Sequence, residues 1–198
     1  HCLVRATDIE AGAQRLQQNL EQYNLWEEPA CDDWVDRLHP VIGNISQPYL
    51  GLSVEIFEAL ASQLDVIYHS AAQLNFVYPY AALKSTNVNG TEEVIRLAST
   101  GKATPLHYIS TLGVFESRNY HGQMVAESDS LNHSDGMALG YSQSKWVAEK
   151  LVKEAQAQGL PVGIYRPGLI SGHSRSGAWN TDDVTCRFLK GCIQIGSY

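Results

Sequence analysis

Five short apolar runs, each closing on a small or polar residue and each set apart by an amphipathic or polar segment, leave this chain few folds. Cys2 to Ala6, Val41 to Ile45, Asp65 to Ala72, Leu106 to Thr111 and Pro161 to Pro167 read as strands. Ile9, Ala13, Leu16, Leu20 and Tyr23 follow the first run at alternating steps of four and three, an amphipathic helix, and Thr7-x-x-Glu10 predicts its capping box. Ser53 predicts the cap of a second helix carrying Val54, Phe57, Leu60, Ala61 and Leu64. A longer helix is expected over Pro79 to Ser99, with Leu83, Val88, Val94, Ile95, Leu97 and Ala98 toward the core, and a short last one over Thr181 to Lys190. Asn24 to Pro40, with Trp26 and Trp34, and Phe115 to Met137 read as loops. Strands alternating with helices predict an α/β fold, a doubly wound parallel sheet covered on both faces. In such a sheet ligands bind outside the carboxyl ends of the strands. Arg5, Asn44, Ser70-Ala71-Ala72, Ser110-Thr111 and Pro167-Gly168 all fall there.

The stretch from Gly140 to Val152 is the remaining helix, uninterrupted by Pro or Gly until Gly159. It puts Tyr141 and Lys145 on one face, one turn apart. An ammonium beside a phenol lowers the phenol's pKa from its usual value of about 10, and a phenol so tuned exchanges a proton with a carbonyl oxygen near neutral pH. The spacing alone is a weak signal in a chain with 10 tyrosines; its context strengthens it.

Composition excludes several classes. At 198 residues and 44% hydrophobic, the chain can bury a sizeable core as one domain. A net charge of −7, with scattered basic residues, argues against nucleic acid and against an anionic membrane surface. No apolar run approaches the ~20 residues that span a bilayer, and no signal peptide is visible. Cys2, Cys31, Cys186 and Cys192 form no CxxC pair and have no His at ligand spacing, so no metal site is expected. Their scatter suggests reduced thiols and a cytoplasmic protein. The chain opens on His1 and an apolar strand and stops at Tyr198 without a helix stop, which reads as a fragment of something longer.

Several residues near the strand ends suit a dinucleotide. At the end of the second strand of such a fold an acidic residue reads the adenosine ribose, whereas an Arg accommodates a 2′-phosphate with its bidentate fork. Arg5 therefore argues for NADP(H) over NAD(H), and Arg15 on the next helix offers a second positive charge. Ala71 and Ala72 lack bulk, so a ligand can approach the backbone. Asn87, polar within a buried helix, is expected to satisfy backbone groups at a distortion and to hold a strand end. A hydroxyl from Ser110 or Thr111 and the phenol of Tyr141 can donate together to one carbonyl oxygen and stabilise charge developing on it. His69, His107 and His173 are expected to pack or hydrogen-bond.

The order Arg5, Gly43-Asn44-Ile45, His69-Ser70-Ala71-Ala72, Asn87-Val88-Asn89-Gly90-Thr91, Ser110-Thr111, Tyr141-x-x-x-Lys145 and Tyr165-Arg166-Pro167-Gly168 resembles the extended short-chain dehydrogenase/reductases. More narrowly, Leu3-Val4-Arg5-Ala6, Val77-Tyr78-Pro79-Tyr80, Tyr165 to Gly172 and Lys190 to Gln194 look like the thioester reductase domains that end nonribosomal peptide or polyketide synthetases, with relatives in carboxylic acid and aminoadipate reductases. The resemblance covers almost the whole chain and implies NADPH-dependent reduction of an acyl or peptidyl thioester, held on a carrier protein's phosphopantetheine arm, to an aldehyde or on to an alcohol. It implies that Thr111 and Tyr141 bind the oxyanion, that Tyr141 supplies the proton, and that Lys145 lowers the Tyr141 pKa and holds the nicotinamide ribose. It implies cofactor contacts from Arg5, Arg15, Asn44, Ile45, Ser70, Ala71, Ala72, Asn87 and Ser110, with Pro167 to Ile170 along the nicotinamide. Residues 1–170 would be a partial NADP-binding domain and 171–198 the start of a substrate-binding region, truncated at both ends. The family's first strand and Gly-rich turn are not in the sequence, and Asn44 stands where the family usually has Asp. Two alternatives remain: a sugar-nucleotide epimerase or dehydratase on the same scaffold, and a non-catalytic dinucleotide sensor.

Overall fold

The computed structural model describes residues 1–26 and 37–196; Cys31, Trp34 and most of the loop expected over Asn24 to Pro40 lie outside them. The chain divides into two units, His1–Ile42 with Leu169–Tyr198, and Gly43–Gly168.

In the first unit β1 (Cys2–Val4) pairs in parallel with β2 (Pro40–Ile42), Leu3 opposite Val41. Helix α1 (Ile9–Gln22) connects them. Its cap is Asp8 rather than Thr7: the Asp8 carboxylate accepts the Ala11 N–H at 2.8 Å, and the Thr7 hydroxyl donates to that carboxylate. A carboxylate at a helix N-terminus also complements the dipole, so Asp outcompetes the neighbouring hydroxyl. The last helix, α6, runs Val184–Ile195 behind an Asp183 cap, later than the expected 181–190.

The second unit holds β3 (Ile67–His69), β4 (Leu106–Ile109) and β5 (Val162–Tyr165), parallel and in the order β3-β4-β5. The doubly wound order 3-2-1-4-5-6 contains a 3-2 pair and a 4-5-6 triplet, the orders of these two hydrogen-bonded sets. Each strand is three or four residues long, and the flanking residues read as strand in the sequence form the loops at their ends. Helix α2 (Val54–Gln63) starts on its expected Ser53 cap. The long helix is divided into α3 (Tyr80–Lys84), a π-helical turn over Ser85–Asn89, and α4 (Gly90–Ser99). The distortion falls at Asn87, where the side chain satisfies backbone groups from outside the helix.

Helix α5 (Gly140–Ala157) lies with α4 on one face of the sheet. Leu50, Phe57, Ala61, Val94, Leu97, Ala98, Leu106 and Leu160 form one buried cluster; Tyr108, Ala148 and Val152 form another. On the other face Tyr68 stacks on His107, and Tyr165 hydrogen-bonds to His107 at 2.8 Å. A 3₁₀ turn, Leu112–Phe115, leads into the segment expected as a loop over Phe115 to Met137, which holds a second, Arg118–Tyr120; Val114, Phe115 and Leu131 are buried together there.

No helix among the described residues is long and apolar enough to cross a membrane. Cys2, Cys186 and Cys192 are free thiols. Among the described residues no three His, Cys, Asp or Glu side chains gather where they could hold a metal ion.

Candidate active site

The site forms where β4 ends and α5 begins. Thr111 follows β4 and caps the first 3₁₀ turn: its Oγ1 accepts the Gly113 N–H at 3.1 Å, which leaves the hydroxyl hydrogen available to donate. Gly113 has Thr111 on one side and Ser142 on the other, so a Cβ there would meet the Ser142 hydroxyl at 3.1 Å and the Thr111 hydroxyl at 3.5 Å. The strand end and the first turn of α5 are thus brought together around Gly113.

Tyr141 is the second residue of α5 and is partly buried, its ring 6.3 Å from that of Phe76 in an edge arrangement. Its pKa departs from the expectation. Burial pushes the phenol above its usual value instead of a lysine pulling it below. The reason is where Lys145 goes: its ammonium donates to the Ile109 carbonyl at 2.8 Å and lies 4.2 Å from the Tyr108 ring centroid. Lys145 is 3% exposed. Burial lowers its pKa to about 8, and the Glu149 carboxylate opposes the drop.

A chain of hydrogen bonds fixes the turn that carries Tyr141. Asn87 accepts the Gln73 N–H at 2.7 Å and donates to the Gln73 carbonyl and to the Ser144 hydroxyl. Ser144 in turn donates to the Tyr141 carbonyl at 2.7 Å. Asn87 therefore joins the loop after β3 to α5, a wider role than holding a strand end. Thr91 donates to the Asn87 carbonyl, so the His69 Nε2 contact at 2.9 Å makes the imidazole the donor. His107 and His173 also hydrogen-bond, to Tyr165 and Ser176.

Burial, helped by the Lys145 charge, takes the His69 pKa down to about 3. A group depressed on folding contributes stability above its unfolded pKa and loses it as pH falls toward the folded value. Unfolding free energy should therefore fall below pH ~6.5, with this imidazole's share approaching ~1.4 kcal/mol per pH unit. Urea midpoints at pH 7 and pH 5 for the wild type and His69→Gln measure that share by difference. Equal slopes in the two proteins would show that the imidazole titrates freely.

Other expected site residues separate. Ser70, Ala71 and Ala72 are exposed after β3. Ser110 is buried, and its hydroxyl donates to Glu149 Oε2 at 2.5 Å, turned into the protein. Asn44 uses its side-chain oxygen on Ser46, accepting from its N–H and hydroxyl at 3.1 and 2.8 Å. Ile45 packs on the first core cluster. Pro167 accepts the Leu112 N–H. In the other unit Arg5 and Arg15 are exposed and joined, Arg15 donating to the Arg5 carbonyl at 2.9 Å; Ile170 is 71% exposed.

Two residues with a large share in this geometry were not singled out from the sequence. Glu149 is fully buried, and Arg166 grips it through Nε at 3.0 and 3.2 Å and Nη2 at 2.6 Å. Their signal was present: Glu149 stands four residues after Lys145 and eight after Tyr141, a carboxylate on the same helical face. A cleft of about 950 Å³ lies along β5 and the segment after β4, lined by Ile109, Leu112, Phe115, Val125, Ile164 and Arg166.

Parallel strands paired β1-β2 and β3-β4-β5 and alternating with helices define a Rossmann-like fold of the extended short-chain dehydrogenase/reductase type. The chain belongs to the family described as Male sterility protein, an NAD-binding family matched over residues 1–198. Its cofactor class is a nicotinamide dinucleotide, and the exposed Ser70-Ala71-Ala72 backbone and the donor hydroxyl of Thr111 fit such a group.

The chain is 47% identical over 197 residues to one of the subunits of the linear gramicidin synthase of Brevibacillus parabrevis, covering 99% of this chain and 4% of that protein. It is 42% identical over 205 residues to the glycine betaine reductase of Emericella nidulans, covering 100% of this chain and 16% of that protein. Among solved structures, the terminal R domain from the myxalamid PKS-NRPS biosynthetic pathway matches with a TM-score of 0.92 at 48% identity, over 98% of this chain and 48% of that one. The chain thus spans about half of that domain and a small part of the two longer relatives.

Proposed function

We propose that this chain carries the proton-handling part of an NADPH-dependent reductase that converts an acyl or peptidyl thioester on a carrier protein to an aldehyde. The observation that carries the reading is the meeting of Thr111 with the Tyr141 turn at the end of β4, above a buried Lys145. The bound cofactor supplies hydride to the thioester carbonyl carbon. Thr111 and Tyr141 donate to the carbonyl oxygen and stabilise the charge it gains. Tyr141, held above its ordinary pKa, keeps its proton until that oxygen needs it. Lys145 sits beneath as a fixed positive charge. The hemithioacetal then loses the carrier's thiol to leave the aldehyde.

The surroundings of Tyr141 support an acyl substrate. Leu74, Phe76, Val77 and Tyr78 are exposed in the loop beside it, and Asn75 holds that loop by accepting the Val77 and Tyr78 N–H groups, each at 2.8 Å. Such a surface suits an apolar chain better than a sugar nucleotide. The preference for NADPH is assigned to Arg5 and Arg15, whose guanidinium groups match a 2′-phosphate. Relatives named as part of a linear gramicidin synthase and as the terminal R domain of a PKS-NRPS pathway support a carrier protein bearing phosphopantetheine as the partner.

The test is cofactor consumption by the full-length protein. NADPH oxidation only when an acyl thioester is added, with aldehyde formed, supports the reading. Tightly retained NAD(H) with no net consumption would replace it with the epimerase or dehydratase chemistry.

A further inference from the structure

We infer that Glu149 and Arg166 are positioning residues for this site: the buried pair holds the end of β4, and with it Thr111, while the Glu149 carboxylate, one turn along α5 from Lys145, is the countercharge that favours the Lys145 ammonium. The inference rests on the proton-handling roles given above to Thr111 and Lys145.

The geometry is complete on the protein side. Glu149 Oε2 takes the Ser110 hydroxyl and shares the Arg166 Nε–H, while Oε1 takes Nε and Nη2. Arg166 is held in turn: its Nη1 donates to the Glu127 carbonyl at 3.1 Å and its guanidinium lies 5.0 Å from the Phe115 ring centroid. Ser110 precedes Thr111, and the Ser110 N–H donates to the Tyr165 carbonyl at 2.7 Å. The carboxylate therefore ties α5, the end of β4 and the end of β5 at one point. Thr111 inherits its position from that tie.

The charges facing this point come from every element around it. Along α5 stand Tyr141, Lys145 and Lys153, whose Nζ is 3.9 Å from Glu149 Oε1. From β4 come Tyr108 and Ser110, from β3 His69, from α4 Thr91, and from beyond β5 Arg166. Glu149 is the carboxylate that Arg166 grips; Glu127 lies beside Arg166 in the same cleft. His69, whose charged form would repel the Lys145 ammonium, is held neutral by burial. Burial alone disfavours the Lys145 ammonium, and Glu149 offsets part of that.

A purely structural pair would behave differently, because a buried ion pair can often be replaced by apolar residues of similar volume without loss of stability. The test uses Glu149→Gln, which keeps an acceptor for Ser110 and removes the charge, and the double variant Glu149→Met with Arg166→Met. Lys145 is titrated by ¹³Cε-lysine NMR, its signal assigned by Lys145→Arg, and kcat and KM for an acyl thioester are followed from pH 6 to 9. In Glu149→Gln the Lys145 midpoint should fall by about one unit, the scale of a lost neighbouring charge. From a starting value of about 8, that costs roughly eightfold in ammonium at pH 8.5. The alkaline limb of kcat should move with it, with thioester KM within about twofold. The double variant should fold and turn over more slowly than wild type. An unmoved Lys145 midpoint, or a double variant with wild-type kcat, would overturn the inference. The NMR arm needs no turnover, so a protein inert toward acyl thioesters whose midpoint still moves sinks the functional reading and supports the countercharge.

Discussion

Tyr141→Phe is expected to leave NADPH affinity within about threefold and to cut acyl-thioester turnover by ~10²-fold or more. The substitution removes one hydroxyl and keeps the ring, so the edge contact with Phe76 and the packing of the first turn of α5 survive. On the proposed reading it removes the transferable proton and one of the two donors to the carbonyl oxygen. Thr111 alone stabilises part of the developing charge, but its hydroxyl is a far weaker acid than a phenol. The Lys145 ammonium is engaged with the Ile109 carbonyl and the Tyr108 ring. Single-turnover rates and cofactor fluorescence measured on the same preparation separate chemistry from binding. Unchanged turnover would leave a dinucleotide-binding fold without acid catalysis, which is the sensor reading.

The residues that carry this expectation were legible because each belongs to a local pattern. Tyr141 and Lys145 are one helical turn apart, and Thr111 follows an apolar strand; the ordered motifs and the resemblance they carry, rather than the spacing alone, singled them out. Asn87 announced a distortion by being polar in a buried helix, and the π-helical turn is that distortion. What periodicity could not give is direction. Whether Ser110 or Thr111 faces the crevice depends on how β4 ends, and the Ser110 hydroxyl turns inward to a carboxylate 39 residues away. The sign of the Tyr141 shift was missed for a related reason. Sequence spacing sets Lys145 near the phenol, but the length of the lysine side chain lets its ammonium go to the Ile109 carbonyl, where only burial remains to act on Tyr141. The capping residue of α1 was misplaced by one position because Thr7 and Asp8 both offer an oxygen, and the carboxylate is the stronger acceptor.

Gly140→Ala should be the most damaging small substitution in the second unit. A Cβ at Gly140 would lie within contact of the Tyr78 carbonyl oxygen, 2.6 Å from the Tyr80 nitrogen and 2.7 Å from the Pro79 carbonyl carbon. These are main-chain atoms, so no side-chain rotation relieves the clash. The Tyr78–Tyr80 turn and the first turn of α5 must move apart. Overpacking of this kind costs ~1–3 kcal/mol of stability. The functional cost should be larger, because Tyr141 is the next residue and a displacement of about 1 Å at a reacting group can lower the rate ~10²-fold. The apolar Phe76 and Val77 loop would shift with the turn, so thioester KM should rise as kcat falls. Gly191→Ala is the matched control: Gly191 lies within α6, a Cβ there meets nothing within 4 Å, and alanine is the better helix former by about 1 kcal/mol. Thermal unfolding and turnover of the two variants side by side should diverge, Gly191→Ala equal to or more stable than wild type and Gly140→Ala impaired in both. Equal behaviour would mean that the approach of the Tyr78–Tyr80 turn to α5 is not what sets the position of Tyr141.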